Sequence, residues 1–398
     1  MISALRQRYN AAFTEQPYAA FLNELATAHR WGPDFRVSET PLFLDAEVAA
    51  SLARASSAIV SQLATPGFRA HAADAIPPGL TVPAETPFPH FICIDFALAT
   101  DAAGRVVPRL IELQGFPTVA CFQTLLARGY ARHFPEIPAD FTSYFGGLDE
   151  EGFVATLRAS IIGACDPAEV VLLEIEPAGQ KTRIDFAVTE ELIGVHPVCV
   201  TEVRKRGRSL YHDVGGREVP IRRIYNRVIF DELLRRKPAM QFSLLDDLDV
   251  EWAGHPNWYF RISKHTLPFL TGDFVPPCHL VSELREIPAD LGNYVLKPLY
   301  SFAGLGVDLS PTAEKIAAIA QPREWLLQRK VAYAPLLATP DGPAKAEVRL
   351  ILAGDGSGWP RLLNNLVRLT KGAMHGVDFN KGRIWVGASV GLFPRGAA

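Results

Sequence analysis

The 398-residue chain has few cysteines and no apolar run long enough to cross a bilayer. Its five cysteines are far apart and no CxxC pair occurs, which argues against a disulfide framework or a zinc site. No stretch approaches the roughly 18–20 uninterrupted apolar residues that a membrane span needs. The start, Met1 to Arg8, lacks the apolar core of a signal peptide. We therefore expect reduced thiols, no membrane association and a cytoplasmic location.

Neither sign of charge predominates, since 40 Lys and Arg stand against 43 Asp and Glu, with a net charge of −3. This balance argues against a general nucleic-acid binder, which needs a basic face. The ten histidines include no HxH or HExxH pair, so no histidine metal site is expected. Apolar residues make up 48% of the chain, which at this length predicts a soluble globular protein of two or three domains.

Residue periodicity predicts mixed α and β structure. Residues 1–65 are typical of helices, because apolar residues recur at spacings of three and four. Two apolar runs, 91–96 and 106–113, are separated by a turn signal and predict a hairpin. The pattern over 169–200 predicts strand, helix and strand, a βαβ unit with parallel strands.

The C-terminal third has its own strand and helix signals. Ser310 and Pro311 predict an N-cap and first turn, opening a helix through Ala320. Strands are predicted at 293–297, 325–331, 347–353 and 361–370.

Three oxygen-bearing side chains fall in the predicted hairpin. Glu112 and Gln114 are two residues apart, so on a strand their side chains lie on the same face. If the two runs form a hairpin, Asp95 can lie on that face too. Two carboxylates and an amide oxygen suit Mg²⁺, a hard cation. The alternative is an ordinary solvated strand face.

Lys297 ends a predicted strand and precedes a loop that contains Ser301, Gly304 and Gly306. Glycines let backbone N–H groups approach phosphate oxygens, and lysine supplies a point charge, so the segment is typical of a phosphate cradle. It is neither a Walker A loop nor a Rossmann fingerprint. The alternative is a surface turn that tolerates positive φ.

Charged and polar residues alternate along the predicted C-terminal strands: Gln328 with Lys330, Glu347 with Arg349, and Arg368 near Lys371. Such charges usually form the solvated face of an antiparallel sheet. The functional alternative is the floor of a polyanion site. Lys264, taken alone, is a surface lysine at the start of a helix.

In chain order, these segments resemble the ATP-grasp superfamily in its circularly permuted form, and most of all the synthetase domain of glutathionylspermidine synthase. Asp95 followed by Glu112-x-Gln114 resembles the family's D…E-x-N metal pattern, with glutamine where asparagine is usual. Lys264, in a segment ending at Pro268, resembles the first ATP lysine.

The resemblance continues through roughly residues 90–390. Residues 294–298 resemble the segment with the second ATP lysine, 301–306 the phosphate loop, and 327–331 the strand against the adenine. It implies an α+β fold: N-terminal helices and metal-binding strands (1–150), a Rossmann-like pre-ATP-grasp βαβ unit (151–255), and a lid with the nucleotide-binding sheet (256–398). ATP would lie between two antiparallel sheets.

The implied activity is that of an ATP- and Mg²⁺-dependent carboxylate–amine, or peptide-forming, ligase that acts through an acyl phosphate on small-molecule substrates. The metal ligands would be Asp95, Glu112 and Gln114. The residues implied for ATP are Lys264, Lys297, Ser301, Gly304, Gly306, Gln328 and Lys330.

Three arginines have expected roles in this chemistry. Arg349 is the expected cation at the transferring phosphoryl group. Arg227 and Arg368 are candidates for the acid substrate, because a guanidinium binds a carboxylate in two places.

Other functions stay open. A nucleotide-binding regulatory module on the same fold would lack turnover. An NAD(P)-dependent oxidoreductase would use the βαβ unit, although no GxGxxG follows Ile175. A purely structural scaffold would be indifferent to nucleotide.

Overall fold

The fold is that of a computed structural model, which describes residues 1–301, 304–372 and 380–398. The first part of the chain holds the helices α1 (Ser3–Ala12), α2 (Glu15–Thr27), α3 (Ala46–Leu63), α4 (Pro66–Ala73) and α5 (Phe122–His133). Its strands are β1 (Leu42–Phe43), β2 (Phe91–Thr100), β3 (Val106–Gln114) and β4 (Phe141–Thr142).

The middle part begins with α6 (Glu150–Ile162) and also contains α7 (Arg183–Ile193) and α8 (Phe230–Arg236). Its strands are β5 (Val170–Glu174), β6 (His196–Cys199), β7 (Arg204–Arg206), β8 (Ser209–Val214), β9 (Arg217–Ile221), β10 (Arg223–Asn226) and β11 (Glu251–Ala253).

The last part has two short helices, α9 (Asn257–Arg261) and α10 (Ala313–Ala317), and a 3₁₀ turn at Lys264–Phe269. Its strands are β12 (Cys278–Leu280), β13 (Tyr294–Pro298), β14 (Trp325–Arg329), β15 (Lys345–Ala353), β16 (Arg361–Thr370), β17 (Gly387–Ser389) and β18 (Gly391–Pro394).

Three sheets position the site. The central sheet is antiparallel and has the order β17-β16-β15-β2-β3. It combines strands from the first and last parts of the chain. The three-stranded sheet β12-β14-β13 is also antiparallel, and we call it the lid sheet after the lid that the resemblance implies. The parallel sheet, β11-β10-β5-β6, lies in the middle part.

Local sequence signals account for several of these elements. The Asp45 side chain caps α3 by accepting from the Val48 N–H at 2.9 Å. Gly194, with φ at +86°, ends α7 in the left-handed conformation. The predicted hairpin is present as β2 and β3, and the predicted strand, helix and strand as β5, α7 and β6 with parallel strands.

Two expectations are wrong in detail. The helix expected from Ser310 to Ala320 is only α10, because Ser310 instead donates its N–H to Asp308 and Thr312 provides the cap. The N-terminal 65 residues are not helical throughout, since Leu42–Phe43 pairs in parallel with β18.

The two faces of the central sheet differ in character. On one face, Ile92 and Ile94 of β2 belong to the apolar core that also contains Leu52 and Ile59 of α3. Because side chains alternate along a strand, Asp95 lies on the opposite face. No helix in the described residues combines the length and apolar character needed to span a bilayer.

Candidate functional site

A row of charged residues crosses the central sheet on the face opposite α3. Glu112 of β3 is the cross-strand partner of Asp95 on β2, and Asp95 is the partner of Arg349 on β15. One strand further, Arg368 of β16 lies opposite Glu347. Directly opposite side chains on one face have Cβ atoms about 4.5–5.5 Å apart, so acids and arginines contact one another across the strands.

Asp95 is the buried centre of this row, and both of its carboxylate oxygens accept from arginines. Arg349 binds in two places, with Nε 2.6 Å from Oδ1 and Nη2 2.7 Å from Oδ2. Arg368 Nη2 donates to the same Oδ2 at 2.5 Å. Burial lowers the pKa of Arg349, but Asp95 together with its other acidic neighbours outweighs burial, and the net pKa is raised. Arg349 therefore stays charged.

Glu347 and Tyr333 extend the row. Arg368 Nη2 donates to Glu347 Oε1, and the Tyr333 hydroxyl donates to Glu347 Oε2. Burial, with a further contribution from Glu347, raises the pKa of Tyr333 well above its ordinary value. Tyr333 is thus a neutral donor that helps to hold Glu347 against Arg368.

Glu112 lies among cations at the edge of the same face. Its Oε2 is 3.9 Å from Lys264 Nζ and its Oε1 is 3.8 Å from Arg349 Nη2. Gln114 Nε2 donates to Glu112 Oε1 at 2.7 Å. Burial raises the pKa of Glu112, but the neighbouring lysines and arginines outweigh it and the net pKa is lowered. The carboxylate is therefore ionised at neutral pH.

Lys297 joins the lid sheet to the central sheet. Its Nζ donates to Gln328 Oε1 at 2.5 Å and to the Ile111 carbonyl at 3.2 Å. Gln328 Nε2 donates in turn to the Leu110 carbonyl at 3.4 Å. Burial lowers the pKa of Lys297, and Glu112 only partly opposes this. The lid sheet thus lies against β3 through a buried lysine and a buried glutamine.

The loop after Lys297 also meets the charged face. Lys264 Nζ donates to the Ser301 carbonyl at 2.7 Å. Gly304 and Gly306 have φ values of +77° and +74°, the left-handed region that favours glycine. Residues 302–303 of this predicted phosphate loop lie outside the described residues.

A small cavity of about 20 Å³ lies beside these residues. Its lining includes Glu112, Gln114, Lys264, Tyr300 and Ser301. Sites for small molecules usually measure about 300–1,000 Å³. The cavity between the lid sheet and β3 is therefore far smaller than such sites in the described arrangement. Lys330, in contrast, is exposed, and its Nζ donates to the Gly292 carbonyl at 2.6 Å.

Arg227 directly follows β10 and is buried. Its Nη1 donates to the Thr118 carbonyl at 2.9 Å, and its guanidinium faces the rings of Phe116 at 5.7 Å and Phe186 at 5.4 Å. The Thr118 hydroxyl accepts from Arg349 Nη1 at 3.2 Å. Thr118 therefore connects Arg227 to the charged row.

Two buried acids lie close to Arg227. Burial raises the pKa of Glu174 to about 8 and that of Asp185 to about 6, while Arg227 lowers both. The backbone N–H groups of Ile175 and Phe122 donate to them at 2.7 and 2.9 Å. The region beyond β5 and β10 therefore contains a cation and two acids in apolar surroundings.

The fit to Mg²⁺ differs among the three predicted ligands. Both oxygens of Asp95 accept from guanidinium groups, so Asp95 does not fit as a ligand in this arrangement. Glu112 and Gln114 fit, because they put a carboxylate and an amide on one wall of the cavity, and Mg²⁺ usually takes few protein oxygens beside phosphate and water. In the described part of the chain, no three His, Cys, Asp or Glu side chains form a metal-binding group.

The fold is similar to that of a glutathione synthetase-like effector. The apo structure of that effector, GSS30 from Globodera pallida, matches with a TM-score of 0.57 and 12% sequence identity. The match covers 89% of the present chain and 93% of the effector chain. No family model matches the sequence. No curated protein matches it either. At this identity the likeness establishes a glutathione synthetase-like α+β fold and nothing about activity.

Sequence reasoning missed Thr118 and Tyr333 as members of the charged face. A signal for Thr118 was present in the turn that starts at Gly115, directly after Gln114. A Cβ on Gly115 would lie 2.3 Å from the Trp258 carbonyl, so only glycine allows the turn to pack there. Tyr333 gave no local signal, since only the fold brings it to Glu347.

Proposed function

We propose that this chain is an ATP- and Mg²⁺-dependent carboxylate–amine ligase that acts through an acyl phosphate. The observation that carries the proposal is the meeting of Lys264 and Lys297 with Glu112 and Gln114 where the lid sheet lies against the central sheet. Two lysines beside a carboxylate and an amide suit a triphosphate with its metal. The glutathione synthetase-like fold supports the same class of chemistry.

Within this proposal the chain is a circularly permuted ATP-grasp protein. The parallel sheet is its Rossmann-like unit, and ATP enters between lid and central sheets, with Gln328 and Lys330 on the lid side. Lys264, Lys297 and the loop with Ser301, Gly304 and Gly306 hold the phosphates. Because Lys297 now donates to Gln328 and Ile111, it exchanges these acceptors for phosphate oxygens when the lid opens.

Glu112 and Gln114 are the residues that would hold Mg²⁺, which would neutralise phosphate charge. The reaction has two displacements: a substrate carboxylate oxygen attacks the γ-phosphorus and releases ADP, then an amine attacks the acyl carbon and releases phosphate and a proton. The chain's contribution is positioning and charge stabilisation. Arg349 faces the developing charge, and Arg227 and Arg368 are the candidates that orient the acid.

A second candidate is a nucleotide-binding module without turnover. The observation that favours it is Asp95, whose oxygens are both engaged by arginines, so that two protein oxygens remain for the metal. Such a module would bind nucleotide as the ligase does, but it would release no ADP with any acid and amine.

The test is thermal unfolding of the full chain with a non-hydrolysable ATP analogue, with and without Mg²⁺, and with NADPH as the control. At a hundred times its Kd a ligand stabilises the native state by about 2.7 kcal/mol. The ligase proposal expects a Mg²⁺-dependent shift with the ATP analogue alone, and then ADP release with some pairs of acids and amines. A shift without ADP release would favour the binding module, and a shift with NADPH alone would favour an oxidoreductase.

A further inference from the structure

We propose that Asp95 is a positioning residue, which holds Arg349 and Arg368 side by side across the central sheet, and that it is not a metal ligand. The inference rests on the proposed ligase function and assigns a role within that site. It departs from the expectation that Asp95, Glu112 and Gln114 share one metal ion.

The first support is that both carboxylate oxygens of Asp95 already accept hydrogen bonds from arginines. Its side chain is 2% exposed, and its three contacts with guanidinium nitrogens measure 2.5–2.7 Å. Such charge-assisted bonds, and the two-point contact with Arg349 above all, are stronger than neutral ones. A cation on Asp95 would have to displace both arginines, and the buried guanidinium group of Arg349 would lose its two-point partner, which is costly.

The second support is the geometry that these bonds impose. Arg349 gives Nε and Nη2 to Asp95 and Nη1 to Thr118, so its plane and direction are fixed. Arg368 is tied to Asp95 and Glu347, yet 34% of its side chain is exposed. Two like charges stand together here only because the carboxylates lie beside them. One arginine is thus locked in place while the other keeps an accessible surface.

The third support is the separation of roles across the hairpin. Glu112, directly opposite Asp95, is 21% exposed and lines the small cavity, whereas Asp95 does not line it. The same strand pair therefore provides Glu112, which lines the cavity and lies 3.8 Å from Arg349, and Asp95, whose two oxygens both accept from arginines. Glu112 is the matched control for Asp95.

The binding test compares Asp95→Asn with Glu112→Gln in the full chain. Calorimetric titration with the non-hydrolysable ATP analogue at varied Mg²⁺ gives the metal dependence of nucleotide binding. We expect Asp95→Asn to keep the half-saturating Mg²⁺ concentration within threefold of the wild type, and Glu112→Gln to raise it more than tenfold. An equal rise in both variants would overturn the proposal, because Asp95 would then act as a ligand.

The second readout follows the arginines themselves. In ¹⁵N-arginine-labelled protein, the Nε–H of Arg349 is buried and donates to Asp95, so its signal should be protected from exchange with water. Assigned through Arg349→Lys, that signal should shift and lose protection in Asp95→Asn, while Glu112→Gln leaves it protected. A signal unchanged in Asp95→Asn would refute the positioning role.

Catalysis gives a KM-against-kcat split. For slow hydrolysis of Mg²⁺·ATP, we expect the kcat of Asp95→Asn to fall by about 10²–10³-fold, the usual cost of one misplaced stabilising donor. The KM for ATP should stay within threefold of the wild type. Arg349→Lys should match it, and the double variant should add little more. A large rise in KM would overturn the assignment.

Two further outcomes are distinguishable. If the wild type does not bind the ATP analogue, the proposed function fails, whereas the arginine signal still decides whether Asp95 positions Arg349. If Asp95→Asn does not fold, Arg349→Lys replaces it: an unchanged Mg²⁺ dependence with lost kcat supports the proposal, and an altered Mg²⁺ dependence overturns it.

Discussion

Replacement of Lys297 by methionine tests the nucleotide site at its most buried cation. Methionine keeps much of the length of the side chain and removes the ammonium group. In the free protein this leaves Gln328 Oε1 and the Ile111 carbonyl without their donor, but it also removes a buried charge, whose desolvation already lowers the pKa of Lys297. These effects oppose each other, so we expect stability to change by no more than about 2 kcal/mol.

Nucleotide affinity should change much more. If the ammonium group binds phosphate oxygens, its removal costs about 1.5–3 kcal/mol, the usual contribution of a hydrogen bond to a charged group. Since 1.4 kcal/mol is a factor of ten, the Kd of the ATP analogue with Mg²⁺ should rise roughly 10- to 150-fold.

The assay is calorimetric titration of the ATP analogue into wild type, Lys297→Met and a control, Lys315→Ala. Lys315 is a second lysine from the same region, but it is exposed and pairs with Asp308 at 2.7 Å. We expect the control to bind as the wild type does. An unchanged Kd in Lys297→Met, or an equal loss in the control, would refute Lys297 as a phosphate contact.

Three other predictions concern stability. Burial raises the pKa of Glu174 from 4.5 to about 8, so between these pH values the folded chain binds a proton that the unfolded chain lacks. Its contribution to stability should fall as pH rises through this window, and melting curves of Glu174→Gln should lose that part of the pH dependence. Arg349→Met should lower the free energy of unfolding, measured by urea titration, by about 3–5 kcal/mol, because Asp95 loses its two-point partner. A loss below about 1 kcal/mol would contradict a stabilising buried pair. Gly306→Ala should destabilise by about 1–2 kcal/mol, since φ is +74° and a Cβ would lie 3.0 Å from Pro298 Cγ, whereas Gly292→Ala, in open space, should melt as the wild type does.

Much of the local structure follows from short sequence patterns. The turn signal between two apolar runs predicted β2 and β3, and the spacing of apolar segments predicted β5, α7 and β6. The helix expected at Ser310 was wrong because Ser and Thr can cap from several neighbouring positions. Here the Ser310 N–H bonds to Asp308, and the cap moves to Thr312.

The candidate site was only partly readable in this way. Alternation places Glu112 and Gln114 on one face of a strand, and both line the cavity. The same reasoning grouped Asp95 with them as a metal ligand, because carboxylates on one face suggest a metal when their partners are unknown. Their neighbours on the other strands, Arg349 and Arg368, decide instead what each carboxylate binds.

Periodicity of two or 3.6 residues is a local property, so several strands and helices, and the face of β3 that carries Glu112 and Gln114, could be predicted from short segments alone. The pairing of β2 with β15, which brings Asp95 to Arg349 across 254 residues, is seen in the folded chain alone. That pairing and its register are set by burial of the apolar face against α3, a collective requirement that no short segment encodes. As a result, the Asp95 carboxylate forms ion pairs with two arginines, Arg349 and Arg368.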